Sequence, residues 1–179
     1  ANGYSCEVEF PDAGTMRCKT QMMKEDESGW LVDPTDPNCF ESRMHMVHEP
    51  DGSLLGVTCS ALGLMTAAPY RVIEPGHWVF DGTGLRAGDL FGRSSLQERC
   101  PGGASGQEMD RLSRYAPAGT QLLAKGLNPE NGGAEMACYE TASGGAVFAA
   151  GSITWPAALL VDEPVSRITA NVLTRYLGR

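Results

Sequence analysis

The sequence predicts an α/β or α+β domain with one loop-rich face, and three observations carry that prediction. Short alternating or apolar runs recur along the chain, separated by turns rich in glycine and proline. A single amphipathic helix closes the chain over residues 163–177. Between them, residues 76–110 are dense in glycine, which takes positive φ and lets the backbone approach other groups closely, so this stretch reads as shaped loop able to carry a site. The 179 residues, 42% apolar and 20% charged, have the composition of one globular domain, and no linker or repeat divides residues 1–179.

Taken in order, residues 7–10 and 15–20 flank Pro11-Asp12-Ala13-Gly14, a hairpin pattern. Residues 21–40 are polar, and Pro34 and Pro37 argue against a regular helix or central strand there, so a surface excursion is expected. Residues 43–48 alternate towards a strand end. His45 and His48 then fall on opposite faces, against their use as a metal pair. Residues 52–68 read as a buried, glycine-broken segment, and Pro69 to Ile73 as a short strand. Trp78 to Phe80 reads as another, with His77 a packed or hydrogen-bonded core histidine. Residues 121–124 form a buried strand, and residues 128–133 a turn-rich loop. Residues 134–141 and 146–151, joined by Ala142-Ser143-Gly144-Gly145, form a hairpin. In the closing helix Asp162 is the N-cap, Pro164 sits in the first turn, and Val165, Ile168, Val172 and Tyr176 share one face directed at the sheet.

A net charge of −8 and scattered basic residues exclude a phosphate-binding surface, so no nucleic-acid partner is expected. No apolar run approaches the roughly 20 residues that span a bilayer, and the start offers no signal-peptide pattern, so no membrane role is expected and the reading is cytoplasmic, with secretion left open. The six cysteines contain no Cys-x-x-Cys pair, which argues against zinc. Buried thiols in a reducing compartment and disulfides in an oxidising one both remain open.

No Gly-x-Ser-x-Gly elbow, P-loop, dinucleotide fingerprint or His-Glu-x-x-His motif occurs. The side chain that draws attention is Glu108, directly after Gly103-Ala104-Ser105-Gly106-Gln107. A carboxylate there is expected at a loop-to-helix junction, as a metal or substrate ligand or, alternatively, as a solvated or helix-capping group.

The ordered blocks His77-Trp78-Val79-Phe80-Asp81-Gly82-Thr83-Gly84-Leu85, Gly88-Asp89-Leu90-Phe91-Gly92, Gly103-Ala104-Ser105-Gly106-Gln107-Glu108-Met109-Asp110, Asn128-Pro129-Glu130-Asn131-Gly132-Gly133-Ala134-Glu135-Met136, and Gly144 to Phe148 with Gly151 to Trp155 resemble the C-terminal region of the N,N-dimethylformamidase large (beta) subunit family. The resemblance covers most of the chain from about residue 53 and, more loosely, residues 1–20. It implies a glutamine-amidotransferase-like (flavodoxin-like) three-layer α/β domain, of which this chain is the strand-rich C-terminal part with a final helix. It also implies a mononuclear ferric iron held by two tyrosines and a glutamate, which hydrolyses a small N-substituted amide or formamide.

Under that resemblance Glu108 matches the glutamate ligand. Asn128 and Asn131 are candidates to orient the substrate carbonyl, with turn formation as the alternative role for both. Ser5 occupies a family tyrosine position, while Tyr4 stands one residue earlier and points to the opposite side of an extended backbone. Either a bulge brings Tyr4 to the metal, or the site is altered. The other family tyrosine falls upstream of Ala1, so a second chain or a cleaved N-terminal segment is expected to complete the domain. The alternative function is a non-catalytic binding or structural subunit of the same fold that has lost its metal.

Overall fold

The structure, a computed structural model, describes residues 6–20, 31, 32, 36, 39–41 and 50–178. The expected first hairpin is present as β1 (Cys6–Asp12) and β2 (Thr15–Thr20), paired antiparallel, with the Gly14 N–H donating to Asp12 Oδ1 at 2.9 Å to close the turn. The excursion over residues 21–40 is not loop throughout. It carries β3 (Leu31–Val32) and reaches β4 (Cys39–Glu41), paired antiparallel, while Pro34 and Pro37 lie outside the described residues. His45 and His48 lie outside the described residues.

The remainder of the chain builds α1 (Gly52–Leu55), β5 (Val57–Ser60), β6 (Ala67–Ala68), β7 (Tyr70–Val72), β8 (Leu90–Phe91), β9 (Ser105–Gly106), β10 (Met109–Leu112), β11 (Gln121–Gly126), β12 (Glu135–Glu140), β13 (Ala146–Ala149), α2 (Trp155–Ala158) and α3 (Glu163–Tyr176). Three groups of strands follow: a five-stranded sheet in the order β13-β12-β11-β7-β8, a four-stranded sheet in the order β10-β5-β4-β3, and the pair β6-β9. Every ladder among the described strands is antiparallel. The strand-rich body and final helix agree with the sequence reading. Two one-turn helices, α1 and α2, join the last one, which sequence periodicity could not announce because four residues are too few to show a period.

The core is aromatic. Tyr70 stacks on Phe91 at 5.4 Å between ring centroids, and Trp155 meets Tyr70 edge-on at 5.6 Å. Leu123 and Met136 join from β11 and β12, and Val165, Ile168 and Val172 from α3. The helix starts as expected, with Asp162 Oδ1 accepting the Val165 N–H at 3.3 Å and Pro164 in the first turn, where a missing N–H costs nothing.

Trp78–Phe80 is a turn of 3-10 helix, not a strand. Its start is capped by His77, whose Nδ1 accepts the Val79 N–H at 3.4 Å. Asn171 of α3 donates to the carbonyls of Val79 (2.9 Å) and Asp81 (2.8 Å), so the segment is held by the helix rather than by a neighbouring strand. Burial lowers the His77 pKa from its ordinary 6.5; Arg175 acts the same way, while Glu140 and Asp81 oppose it. The folded state therefore favours neutral imidazole, and the stability this contributes is present above pH 6.5 and lost as pH falls through the lowered folded value. The melting temperature of His77→Asn, which keeps a capping acceptor without titrating, is expected to fall less than that of the native protein just below pH 6.5. Parallel melting curves over that window would overturn the assignment.

Charge also joins the two larger sheets. Glu135, 7% exposed, takes the Leu112 N–H on Oε2 at 2.9 Å, and its Oε1 lies 3.5 Å from Arg111 Nε and 3.3 Å from Lys125 Nζ. Arg111 pairs onward with Asp36 at 2.8 Å. A carboxylate this buried is tolerated because its oxygens are met by donors and cations.

Candidate functional site

Among the described residues, the non-glycine residues with positive φ are Met65 (59°), Gln107 (66°), Glu130 (61°) and Asn131 (55°). Left-handed backbone costs an L-residue about 1–2 kcal/mol and persists only where the surroundings impose it. All four fall in three loops, residues 61–66, 105–108 and 127–133, and these loops are hydrogen-bonded to one another. The left-handed non-glycine residues of the described backbone are thus gathered in three mutually bonded loops.

Asn128 ties the three loops together. Its buried Nδ2 donates to Thr66 Oγ1 (2.9 Å) and Ser105 O (3.1 Å), and its Oδ1 accepts the Ser105 hydroxyl at 2.7 Å. Ser105 Oγ in turn accepts the Ala134 N–H at 2.9 Å. The knot closes because two glycines allow it. A Cβ on Gly126 would collide with the Ser105 hydroxyl, and one on Gly133 (φ 99°) with the Gly126 carbonyl.

Glu108 does not sit at a loop-to-helix junction. It lies in the turn between β9 and β10, because Ser105 and Gly106 pair with β6 and Met109 to Leu112 pair with β5, so strand pairing claims both sides of it. The backbone around it is pinned along its length. The Gly106 N–H donates to Ser152 Oγ (2.8 Å), the Gln107 N–H to Thr66 O (3.0 Å), and Gln107 O accepts the Met65 N–H (2.8 Å). Glu108 O accepts the Ile153 N–H at 3.3 Å, and the Asp110 N–H donates to Gly151 O at 2.8 Å. A half-buried carboxylate is thereby presented on a backbone with little freedom. Its charge is felt nearby: burial pushes the Cys59 thiol up, and Asp110, Glu108 and Asp51 push the same way. Beside it, Gln107 Oε1 is buried without a hydrogen-bond partner.

The segment carrying Glu108 and the loop bearing Asn128 and Asn131 are thus joined through Ser105. Asn131 is exposed, with Oδ1 taking Lys125 Nζ at 3.4 Å, whereas Asn128 spends both amide hydrogens inside the protein. Tyr4 lies outside the described residues. Sequence reasoning did not find Thr66, Ser105, Gln107, Met65, Ser152 or Ile153. The available signal was the recurrence of glycine at 126, 132 and 133 opposite Gly103-Ala104-Ser105-Gly106, which marks backbones meant to touch.

The donor chemistry can be set against a ferric site. Glu108 offers the hard oxygen such an ion takes. Tyr70, whose hydroxyl stands by this cluster, does not offer a phenolate: full burial pushes its pKa up, and the hydroxyl donates to Ala150 O at 2.8 Å. Among the described residues no three His, Cys, Asp or Glu side chains group to hold a metal. Glu108 fits as one donor of a set that needs others. Separately, an open cleft of about 360 Å³ is lined by Trp78, Asp81, Asn171, Thr174 and Arg175, with Arg175 stacked over Trp78 at 5.0 Å and paired to Glu140 at 3.0 Å. No described helix is long and apolar enough to cross a membrane.

The chain combines an antiparallel, strand-rich body with three hydrogen-bonded loops that hold its left-handed non-glycine residues. Over residues 1–167 it matches the family described as N,N-dimethylformamidase beta subunit-like, C-terminal, and it belongs to that family. It is 33% identical to the N,N-dimethylformamidase beta subunit of Paracoccus aminophilus over an alignment of 128 residues, which covers 56% of this chain and 16% of that protein. The chain thus spans less than a fifth of the length of that relative.

Proposed function

We propose that this chain is the carboxylate-bearing part of a metal-dependent amide hydrolase of the dimethylformamidase type, acting on a small N-substituted amide or formamide. The observation that carries the reading is Glu108: it falls inside the family match, directly after the left-handed Gln107, on a backbone hydrogen-bonded on both sides. In this reading Glu108 is one ligand of a mononuclear ferric iron, Tyr4 is a second, and a tyrosine on another polypeptide or on a segment outside this chain is the third. That other segment also completes a glutamine-amidotransferase-like domain, supplying the parallel strands absent from the described ladders. When bound, iron supplies Lewis acidity to the amide carbonyl and a water of lowered pKa.

The chain's own residues hold and orient. The pinned turn sets the Glu108 carboxylate before any ligand arrives, so no ordering is required at the moment of binding. Asn131 has Oδ1 turned to Lys125, which leaves Nδ2 to donate to the substrate carbonyl oxygen. Asn128 acts through position, holding the 127–133 loop against Ser105 and Thr66.

The test is made on the purified native protein together with whatever chain accompanies it. Near-stoichiometric iron, a visible absorption band from tyrosinate bound to ferric iron, and release of amine and formate from N-substituted formamides are expected. A colourless, metal-free protein that hydrolyses no amide would sink the proposal.

A further inference from the structure

Met65 is an expensive residue where it stands. Its φ of 59° is one that glycine and asparagine adopt at far lower cost, yet it carries a long apolar side chain that is 48% exposed. It therefore contributes neither good backbone geometry nor a core contact that would explain it. Its N–H bonds Gln107 O at 2.8 Å, which places it one peptide from Glu108. On the other side of the same turn, the Ile153 N–H bonds Glu108 O at 3.3 Å, and Ile153 is 44% exposed. Two residues with accessible apolar side chains thus hydrogen-bond the backbone on the two sides of Glu108. Exposed apolar groups beside a fixed polar group are the usual composition of a small-molecule site.

We propose that Met65 and Ile153 form the apolar wall that receives the N-alkyl substituents of the amide, and that Met65 sets the preference for N-substituted over unsubstituted substrates. This rests on the amide-hydrolase reading and names the residues that choose among its substrates. A carboxylate-centred site without such a wall has nothing to gain from an N-methyl group, whereas an apolar contact rewards each one.

The experiment measures kcat/KM of the native protein for formamide, N-methylformamide and N,N-dimethylformamide, and repeats it with Met65→Gly, Met65→Asn and Ile153→Ser. The ratio of kcat/KM for N,N-dimethylformamide over formamide is expected to fall about tenfold per side chain removed. The melting temperature of Met65→Gly is expected to hold or rise, since glycine relieves the left-handed strain, so a folding defect cannot imitate the result. An unchanged or increased ratio, with the wild type active, overturns the assignment and leaves the hydrolase reading standing. An equal loss on all three amides, together with a changed sedimentation coefficient, overturns it in favour of a contact with another chain. A wild-type protein inactive on all three amides removes both readings.

Discussion

Glu108→Gln is expected to abolish iron retention while the fold survives. Glutamine keeps the shape of glutamate but replaces a charged hard oxygen with a neutral amide, a far poorer donor to a ferric ion. Because residues that merely support a ligand already cost about 10–100-fold in metal affinity or activity when removed, loss of a ligand itself is expected to cost about a hundredfold or more. The turn that carries residue 108 is pinned by backbone groups of Met65, Gln107, Asp110 and Ile153, none of which the substitution touches. Circular dichroism and melting temperature should therefore remain near native while elemental analysis and amide hydrolysis collapse together. A Glu108→Gln protein that retains full iron and full activity would remove Glu108 from the site.

Asn128→Ala is expected to act on stability first. The amide is 5% exposed and spends its donors and its acceptor on Thr66 and Ser105, so truncation leaves the Ser105 hydroxyl and carbonyl and the Thr66 hydroxyl short of a partner. Each unsatisfied buried group costs about 1–3 kcal/mol, so a total near 3 kcal/mol is expected, a drop of roughly 6–12 °C in melting temperature for a chain of this size. Activity should fall too, because the knot that holds three loops in register is cut. The signature separating this from direct contact with substrate is that the melting temperature moves at all. A variant of native stability with a depressed kcat would instead make Asn128 an oxyanion donor.

What the sequence by itself determined was local. The β12–β13 hairpin was legible because a short glycine turn lies between two apolar runs, and α3 because Asp162, Pro164 and the Val165, Ile168, Val172 spacing announce start and face within one segment. Glu108 was legible as a residue of interest through its glycine-rich approach and the family blocks around it. Trp78–Phe80 was misread because its composition suits a strand, and what decides its conformation is Asn171, far along the chain on α3. The junction expected at Glu108 failed for the same reason: β5 and β6, earlier in the chain, claim the residues on either side of it. Only the tertiary structure decided that Met65, Gln107, Glu130 and Asn131 bring their strain to loops bonded to one another, and that Asn128 spends its amide on Ser105 and Thr66. The physical reason is that a left-handed residue or a buried amide is fixed by partners from other segments, and a hydrogen bond between residues 66 and 128 has no period or composition by which one segment can disclose it.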